Sequence, residues 1–204
     1  MGRHREFDVE TALDAALCVF WRKGYEGTSY ADLTEVTGVE RPALYSAFGN
    51  KEALFRRALA RYHERYLGYL PEALQLPTAR EVAAHFLRGA VDLNTRYPDR
   101  TGCFGINGVL AGSDDAEPIR QALIEYRATG EAMLRERFER AKAEGDLPET
   151  ADCATLTAYV MAVTHGIAVQ AKAGFSRDRL EAVAEQALST WPTGQTARTA
   201  ESVR

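Results

Sequence analysis

Apolar residues recur every three or four positions along most of this 204-residue chain, and that spacing predicts helices almost throughout. The first predicted helix is capped by Asp8 and ended by the glycines of KGYEG. Its apolar stripe consists of Leu13, Ala16, Leu17, Phe20 and Trp21. The same periodicity continues to Trp191, and it predicts an all-α fold of about nine helices.

Two short helices are predicted after the first. Ser29 and Asp32 have the spacing of a capping box, so a second helix begins there and ends about two turns later at Gly38. Proline is tolerated only in the first turn of a helix. Because of Pro42, the third helix must therefore begin at residue 40 or 41, and it ends at Gly49.

The third helix has few residues that could join a core. Leu44 and Phe48 lie on one face, which leaves the opposite face free to contact a partner. A helix, a short turn and a second helix form a helix-turn-helix unit, whose second helix enters the major groove of DNA. A tight corner between two core helices has the same spacing, so the spacing alone leaves both interpretations open.

Three features favour DNA. Arg3 and Arg5 precede the first helix with nothing to pack on, Tyr45 lies on the free face, and Lys51 begins a fourth helix whose N–H groups favour phosphate. We expect base or backbone contacts from the third helix, phosphate contacts around it, and minor-groove contacts from the N-terminal arm. The predicted DNA-binding residues are Arg3, Arg5, Thr28, Ser29, Tyr30, Arg41, Pro42, Ala43, Tyr45, Ser46 and Lys51.

A larger helical body is predicted after the fourth helix, which spans residues 51–69 behind its cap at Asn50. A helix from Asp152 carries a small residue at every fourth position, so another helix can approach it closely. Two copies of this helix and the last helix would form a four-helix dimer interface with two-fold symmetry. Packing within one chain is the alternative use of the small residues. The predicted interface consists of Ala158, Ala162, Val163, Gly166, Ile167, Leu188 and Trp191.

Composition and charge limit the class of protein without choosing it. Apolar residues make up 46% of the chain, and the net charge of −4 does not by itself indicate a nucleic-acid binder. No apolar run is long enough to span a membrane, and the N-terminus lacks the apolar stretch of a signal peptide. Three cysteines without CxxC spacing and four histidines without ligand spacing predict reduced thiols, a cytoplasmic location, and neither cofactor nor metal.

Two features of the body are candidates for sensing. Cys103 follows Gly102 at a predicted helix start, where the helix dipole lowers the pKa of a thiol, although buried packing is the alternative. Polar and aromatic residues on apolar helices are typical of a small-molecule pocket and also of ordinary hydrogen-bonded packing. The candidate sensor residues are Cys103, Phe104, Asn107, Tyr126, Tyr159 and His165. No nucleophile elbow, phosphate-binding glycine loop or carboxylate pair is present, so we do not expect an enzyme.

The segment Phe7–Leu59 resembles the DNA-binding domain of the TetR (tetracycline-repressor-like) transcriptional regulators. The motif that carries the resemblance is Gly38-Val39, Leu44-Tyr45, Phe48, Lys51-Glu52 and Leu54. The resemblance implies a variable helical body, a palindromic operator in double-stranded DNA and a homodimer. Some relatives with Gly-Cys at the position of Cys103 sense electrophiles or oxidants through it. One departure is Glu40, where relatives usually carry a small capping residue such as serine.

These patterns together predict three regions: a three-helix helix-turn-helix domain at residues 1–50, a regulatory and dimerisation domain at 51–192, and a disordered tail at 193–204. The predicted function is a sequence-specific repressor, released from its operator by a small-molecule inducer or by thiol modification. The alternatives are an architectural DNA-binding protein without a sensor, which would bind DNA without strong sequence preference, and a helical enzyme, which would show turnover.

Overall fold

A computed structural model of the chain describes residues 7–99, 102–109 and 113–194, with the backbone alone at 107–109 and 115. The described residues form ten α-helices and one 3-10 turn at Asp114–Ala116, with no strand among them, and the predicted all-α fold is confirmed. The helices are α1 (Val9–Lys23), α2 (Tyr30–Thr37), α3 (Arg41–Phe48), α4 (Lys51–Tyr66), α5 (Tyr69–Ala73), α6 (Ala79–Arg96), α7 (Phe104–Val109), α8 (Glu117–Ala143), α9 (Cys153–Lys172) and α10 (Arg177–Ser189).

The helix starts follow the predicted caps. The Asp8 carboxylate accepts the backbone N–H groups of Glu10 and Thr11, and the Asn50 side chain accepts that of Ala53. The prediction was wrong where it continued α4 to residue 69, because α4 ends at Tyr66 and α5 is a separate helix. Gly68 lies between the two helices, and glycine is unfavourable in the interior of a helix.

The described residues fall into two compact units. The first contains the chain up to Tyr66 and Phe104–Leu123, and the second contains Leu67–Cys103 and the chain from Ile124 onward. The first unit therefore holds α1–α4, α7 and the start of α8. The second holds α5, α6, the rest of α8, α9 and α10. The predicted domain limits at residues 50 and 192 stay a prediction.

An aromatic cluster forms the core of the first unit. The ring centroids of Phe20 and Phe55 are 5.1 Å apart, and those of Trp21 and Tyr62 are 4.8 Å apart, so α1 and α4 are joined through large buried rings. Phe104 of α7 lies against both Phe55 (4.9 Å) and Tyr62 (5.3 Å). Edge-to-face and offset pairs of this kind add stability beyond the area they bury.

Ion pairs reinforce the contact between α1 and α4 at the surface of this core. Arg61 of α4 pairs with Glu10 and Asp14 of α1, and Arg65 pairs with Asp14 at 2.7 Å. The Arg61 side chain is only 12% exposed, so its pairs are less screened than those of a fully exposed residue. The short helices α2 and α3 thus pack against two long helices that are joined by both ring contacts and ion pairs.

The core of the second unit is built around α6, which packs against α5, α9 and α10. Its inward face includes Val82, Phe86, Leu87, Ala90 and Val91. Helix α9 is 20 residues long with a mean hydropathy of 1.2, and only 28% of its most apolar stretch is buried. Length and composition alone would let such a helix cross a membrane, but core and interface helices of soluble proteins have the same properties, so this is weak evidence.

Candidate nucleic-acid interface

Local hydrogen bonds set the ends of α2 and α3. The Ser29 hydroxyl accepts the backbone N–H of Asp32, and the Asp32 carboxylate accepts that of Ser29, which completes the predicted capping box. Gly38 ends α2 with φ of 66°, a left-handed conformation that glycine adopts without steric cost. Glu40 stands at the start of α3 and makes no capping hydrogen bond with its side chain. The predicted ends of both helices are confirmed.

Helix α3 divides into a buried and an exposed face. Leu44 is 3% exposed and Phe48 is 6% exposed, so these two residues anchor the helix as the apolar pattern predicted. The remaining side chains of the predicted contact face are Arg41, Pro42, Tyr45 and Ser46, which are exposed, and Ala43, which is half-buried. This face is open for contact with a partner.

Arg41 is held on this face by two tyrosines. Its guanidinium carbon lies 4.0 Å from the ring centroid of Tyr30, and its Nη2 donates to the Tyr45 hydroxyl at 3.0 Å. The rings of Tyr30 and Tyr45 are stacked at 5.3 Å. Guanidinium groups pack well on aromatic faces, and this packing limits the rotamers that Arg41 samples.

A chain of hydrogen bonds links the first turn of α4 to Arg41. The backbone N–H of Lys51 donates to the Tyr30 hydroxyl at 3.2 Å, and the Tyr30 hydroxyl donates to Tyr45. The hydrogen bond from Tyr30, followed by that from Arg41, lowers the pKa of Tyr45, whereas burial and then the bond to Tyr45 raise the pKa of Tyr30. The Tyr45 oxygen thus accepts from two donors, and its own O–H is left to donate outward.

The side chains predicted to contact phosphate differ in burial and in their hydrogen bonds. Thr28 is fully buried and its hydroxyl donates to the Gly24 carbonyl at 2.7 Å, so its side chain does not reach the surface. Ser29 is exposed, but its hydroxyl is engaged with Asp32. Lys51 is half-buried with its Nζ 4.5 Å from the Tyr25 ring centroid. Burial lowers the pKa of Lys51, and Glu26 and Asp32 act in the opposite direction. Arg3 and Arg5 lie outside the described residues.

Part of this arrangement is not visible in the sequence. Nothing in the spacing indicated that Tyr30, one residue inside α2, packs on an arginine of α3, or that Tyr25 lies under Lys51. The only available signal was the number of aromatic residues beside basic ones in residues 25–51. Such pairs become informative only once the fold brings the helices together.

The geometry defines the class of the protein as a helix-turn-helix DNA-binding protein, in which an exposed and preorganised α3 face is supported on a rigid helical core. The chain belongs to the TetR family of transcriptional regulators. Residues 12–58 match the family described as bacterial regulatory proteins of the tetR family, and residues 80–188 match the tetracyclin repressor-like C-terminal domain. TetR regulators are DNA-binding transcription factors rather than enzymes, and homodimer formation and ligand binding are typical of the family.

Two curated relatives extend over nearly the whole chain. The chain is 33% identical over 193 residues to the HTH-type transcriptional repressor ComR of Escherichia coli (strain K12). The match covers 94% of this chain and 92% of ComR. It is 31% identical over 189 residues to the repressor BdcR of the same strain. That match covers 91% of this chain and 90% of BdcR.

Two solved structures are also similar. A cysteine variant of the TetR family regulator CifR, complexed with a 26-base-pair operator DNA, has a TM-score of 0.87 and 42% identity, and the match covers 93% of this chain and 100% of CifR. A TetR regulator from Rhodococcus sp. RHA1 has a TM-score of 0.62 and 41% identity, and the match covers 92% of this chain and 100% of that protein.

The candidate sensor residues belong to both compact units and differ in burial. Phe104 is buried in the aromatic core of the first unit, and Asn107 lies in α7 with its side chain outside the description. Cys103 is half-buried in the second unit, which also holds Tyr69, whose pKa is raised above all by burial. Tyr126 and Tyr159 are 44% and 41% exposed on α8 and α9.

His165 is the candidate sensor residue with the most defined surroundings. Its Nδ1 lies 2.9 Å from the Nη2 of Arg127 on α8, and the guanidinium donates because it carries only N–H groups. Burial, and to a smaller extent the positive charge of Arg127, lowers the pKa of His165 to about 4. The imidazole is therefore neutral at pH 7.

The predicted dimer residues divide by exposure. Ile167, Leu188 and Trp191 are buried within their own chain, with Trp191 packed on Phe138 at 5.5 Å. Ala158, Ala162 and Gly166 are exposed, and Val163 is half-buried. A Cβ atom added to Gly166 would meet nothing within 4 Å in the chain. The exposed small residues are therefore the part of the set that another subunit can reach.

Proposed function

We propose that the protein is a transcriptional repressor that binds a palindromic operator as a homodimer and is released by a small-molecule inducer or by modification of a thiol. The observation that carries the proposal is the exposed α3 face, on which Tyr30 and Tyr45 hold Arg41 ready for contact. That ComR and BdcR are repressors, and that CifR is complexed with operator DNA, supports the same function here. We propose a cytoplasmic location, where such DNA is found.

In the proposed complex, α3 lies in the major groove. Arg41, Ala43, Tyr45 and Ser46 contact base edges or backbone, with Pro42 beside them. Ser29, Tyr30 and Lys51 lie near phosphates, and Arg3 and Arg5 extend to the minor groove. The buried Thr28 side chain is left out of the proposed contacts. Base contacts supply specificity, whereas phosphate contacts position the protein.

Replacement of Arg41 tests the groove assignment. In titrations of an operator selected from genomic fragments, Arg41→Ala should bind roughly tenfold more weakly or worse, and it should lose preference at one base position. Lys51→Ala should weaken binding to all DNA sequences alike. It should also reduce the number of counterions released on binding, read from the salt dependence of the affinity, by about one. Arg88→Ala, in the second unit, is the matched control, because Arg88 is also exposed and its ion pair among the described residues is with Glu185.

Three outcomes separate the proposal from its alternatives. If Arg41→Ala binds the operator as tightly and selectively as the wild type, α3 does not read the groove. Equal affinity of the wild type for unrelated DNA sequences would indicate an architectural protein. Loss of affinity in Arg88→Ala would show that the assay reports folding rather than contact.

Release from DNA is proposed to originate in the second unit, at Cys103 or in a pocket near His165 and Tyr159. If Cys103 is the trigger, Cys103→Ser should bind the operator normally and stay bound when an oxidant or electrophile releases the wild type. If the variant is released as the wild type is, the thiol has a packing role and the inducer binds without covalent reaction. The change needed is modest, because a preference of a few kcal/mol for the non-binding state releases DNA.

A further inference from the structure

A cavity of about 210 Å³ lies in the second unit, between the end of α5 and the middle of α8. We refer to it as the α5–α8 cavity. Its lining residues are Leu74, Gln75, Met133, Glu136, Arg137 and Arg140. None of the candidate sensor residues lines it. Its walls are two arginines, one carboxylate, one amide and two apolar side chains.

Arg137 is the unusual member of this set. It is only 5% exposed, and its Nη2 donates to the backbone carbonyls of Leu76 and Pro77 at 2.7 and 2.8 Å. Those two bonds fix the turn that follows α5. They occupy two of the five N–H groups of a guanidinium. The buried Nε and Nη1 atoms carry the other three N–H groups, which have no acceptor among the described residues.

The charge of Arg137 is compensated only in part. No ion pair among the described residues includes it, and an arginine stays protonated even when burial and Arg140 lower its pKa. Glu144 and Asp146 act in the opposite direction, each with a smaller effect than Arg140, and Asp146 already accepts the backbone N–H of Ala79 at 2.6 Å. A buried charge without a partner is costly, so a bound anion would stabilise this site.

The other walls indicate what kind of anion fits. Arg140 is exposed and donates to the Leu74 carbonyl at 3.3 Å, so its charge stands at the mouth of the cavity. Leu74 and Met133 offer apolar surface, and Met133 is 47% exposed. A bare inorganic ion would leave that surface uncovered. The volume is below the usual range for a drug-sized ligand, which limits the occupant to a small molecule.

We propose that the α5–α8 cavity binds a small organic acid, whose carboxylate lies between Arg137 and Arg140 and whose apolar part lies against Leu74 and Met133. Carboxylate oxygens accept charge-assisted hydrogen bonds from guanidinium groups, so a bound carboxylate would compensate the positive charge of Arg137 and Arg140. Glu136 lines the same cavity and repels the ligand, and the two arginines outweigh it. This proposal concerns binding by the second unit and does not depend on whether DNA is released.

Benzoate is a suitable probe, with neutral benzamide and inorganic phosphate as comparisons. Titration of the full chain without DNA, followed by calorimetry and by the side-chain Nε–H resonance of Arg137, should show saturable binding of benzoate. Benzamide and phosphate should bind at least about tenfold more weakly, because the first lacks the charge and the second lacks the apolar part.

Exposed variants test the site without disturbing the fold. Arg140→Gln should weaken benzoate binding about tenfold, whereas Glu136→Gln should strengthen it roughly threefold. Arg135→Gln is the matched control, because it removes the same charge from the same helix outside the cavity, and it should leave the affinity unchanged. These opposite signs follow from charge and not from a general loss of stability.

The proposal is overturned if benzoate does not saturate the protein, if benzamide binds equally well, or if Arg140→Gln and Arg135→Gln weaken binding alike. Phosphate binding without benzoate binding would overturn the organic acid as occupant. None of these results bears on operator binding, which the Arg41 variants test separately.

Discussion

Arg41 shows what single residues contribute to the proposed interface. A long side chain loses conformational entropy when it binds, and part of that loss has already occurred where stacking on Tyr30 and the bond to Tyr45 restrict it. Asp32, the acid of the α2 cap, is paired with Lys23 at 2.6 Å and does not compete for the guanidinium.

His165 predicts a pH dependence of stability in the second unit. Its pKa is about 4 in the folded chain and 6.5 when unperturbed, so below pH 6.5 the unfolded chain binds the proton more readily. The wild type should therefore lose stability as the pH falls from 6.5 towards 4, by up to about 3 kcal/mol. His165→Gln should lack this part of the loss, as measured by urea unfolding at a series of pH values.

Arg127 supplies the control for that experiment. Removing its positive charge in Arg127→Met takes away the smaller cause of the lowered pKa, so the loss of stability should begin at the same pH and be smaller. If the wild type and His165→Gln lose stability in parallel between pH 6.5 and 4, the imidazole is not responsible.

At the scale of helices, α5 and α6 meet at a contact that depends on a glycine. A Cβ atom added to Gly89 would lie 2.3 Å from a ring carbon of Tyr69, far inside van der Waals contact. Gly89→Ala should therefore destabilise the protein by about 1–3 kcal/mol, as overpacking of a core does. Chemical denaturation measures the change.

Gly130 in α8 is the matched control for Gly89, because a Cβ there meets nothing within 4 Å. Gly130→Ala should stabilise by up to ~1 kcal/mol, since alanine restricts the unfolded chain and favours a helix. In the double variant Gly89→Ala/Tyr69→Leu the clash should be partly relieved. Equal stability of the two single alanine variants would contradict the close approach.

At the scale of the whole molecule, α9 is more apolar than its burial explains. Tyr159 and Val169 on α9 and Val183 on α10 are 41%, 47% and 44% exposed, next to the exposed small residues Ala158, Ala162 and Gly166. An extended apolar surface of this kind is typical of a subunit interface. It supports the proposed dimer, and we propose that the interface is centred on α9.

A charge on that surface tests the dimer. Ala162→Glu should be monomeric in sedimentation or light scattering and should lose operator affinity, because a palindromic site needs two subunits. Ala128→Glu makes the same substitution on an exposed position of α8 and should remain dimeric. A dimer that persists in Ala162→Glu would require an interface elsewhere.

The ends of the helices were predicted well because their causes are local. The Asp8 cap, the Ser29–Asp32 box and Gly38 each act within about four residues, so the sequence contains both partners of each interaction. The helical periodicity and the motif from Gly38 to Leu54 likewise determined the fold class and the family. The separate α5 was missed although Gly68 was a local signal against a continuous helix.

Only the tertiary structure decided which residues that are far apart in the chain come into contact. Tyr30 meets Lys51 across 21 positions and Arg137 meets Leu76 across 61. From the sequence, Thr28 was assigned to DNA contact, Phe104 to the sensor and Trp191 to the dimer interface. Packing within the chain buries all three. Burial depends on which helices come together, and periodicity shows that a face is apolar without showing what covers it. The charge of Arg137 therefore became notable only when the fold enclosed it without an ion pair among the described residues.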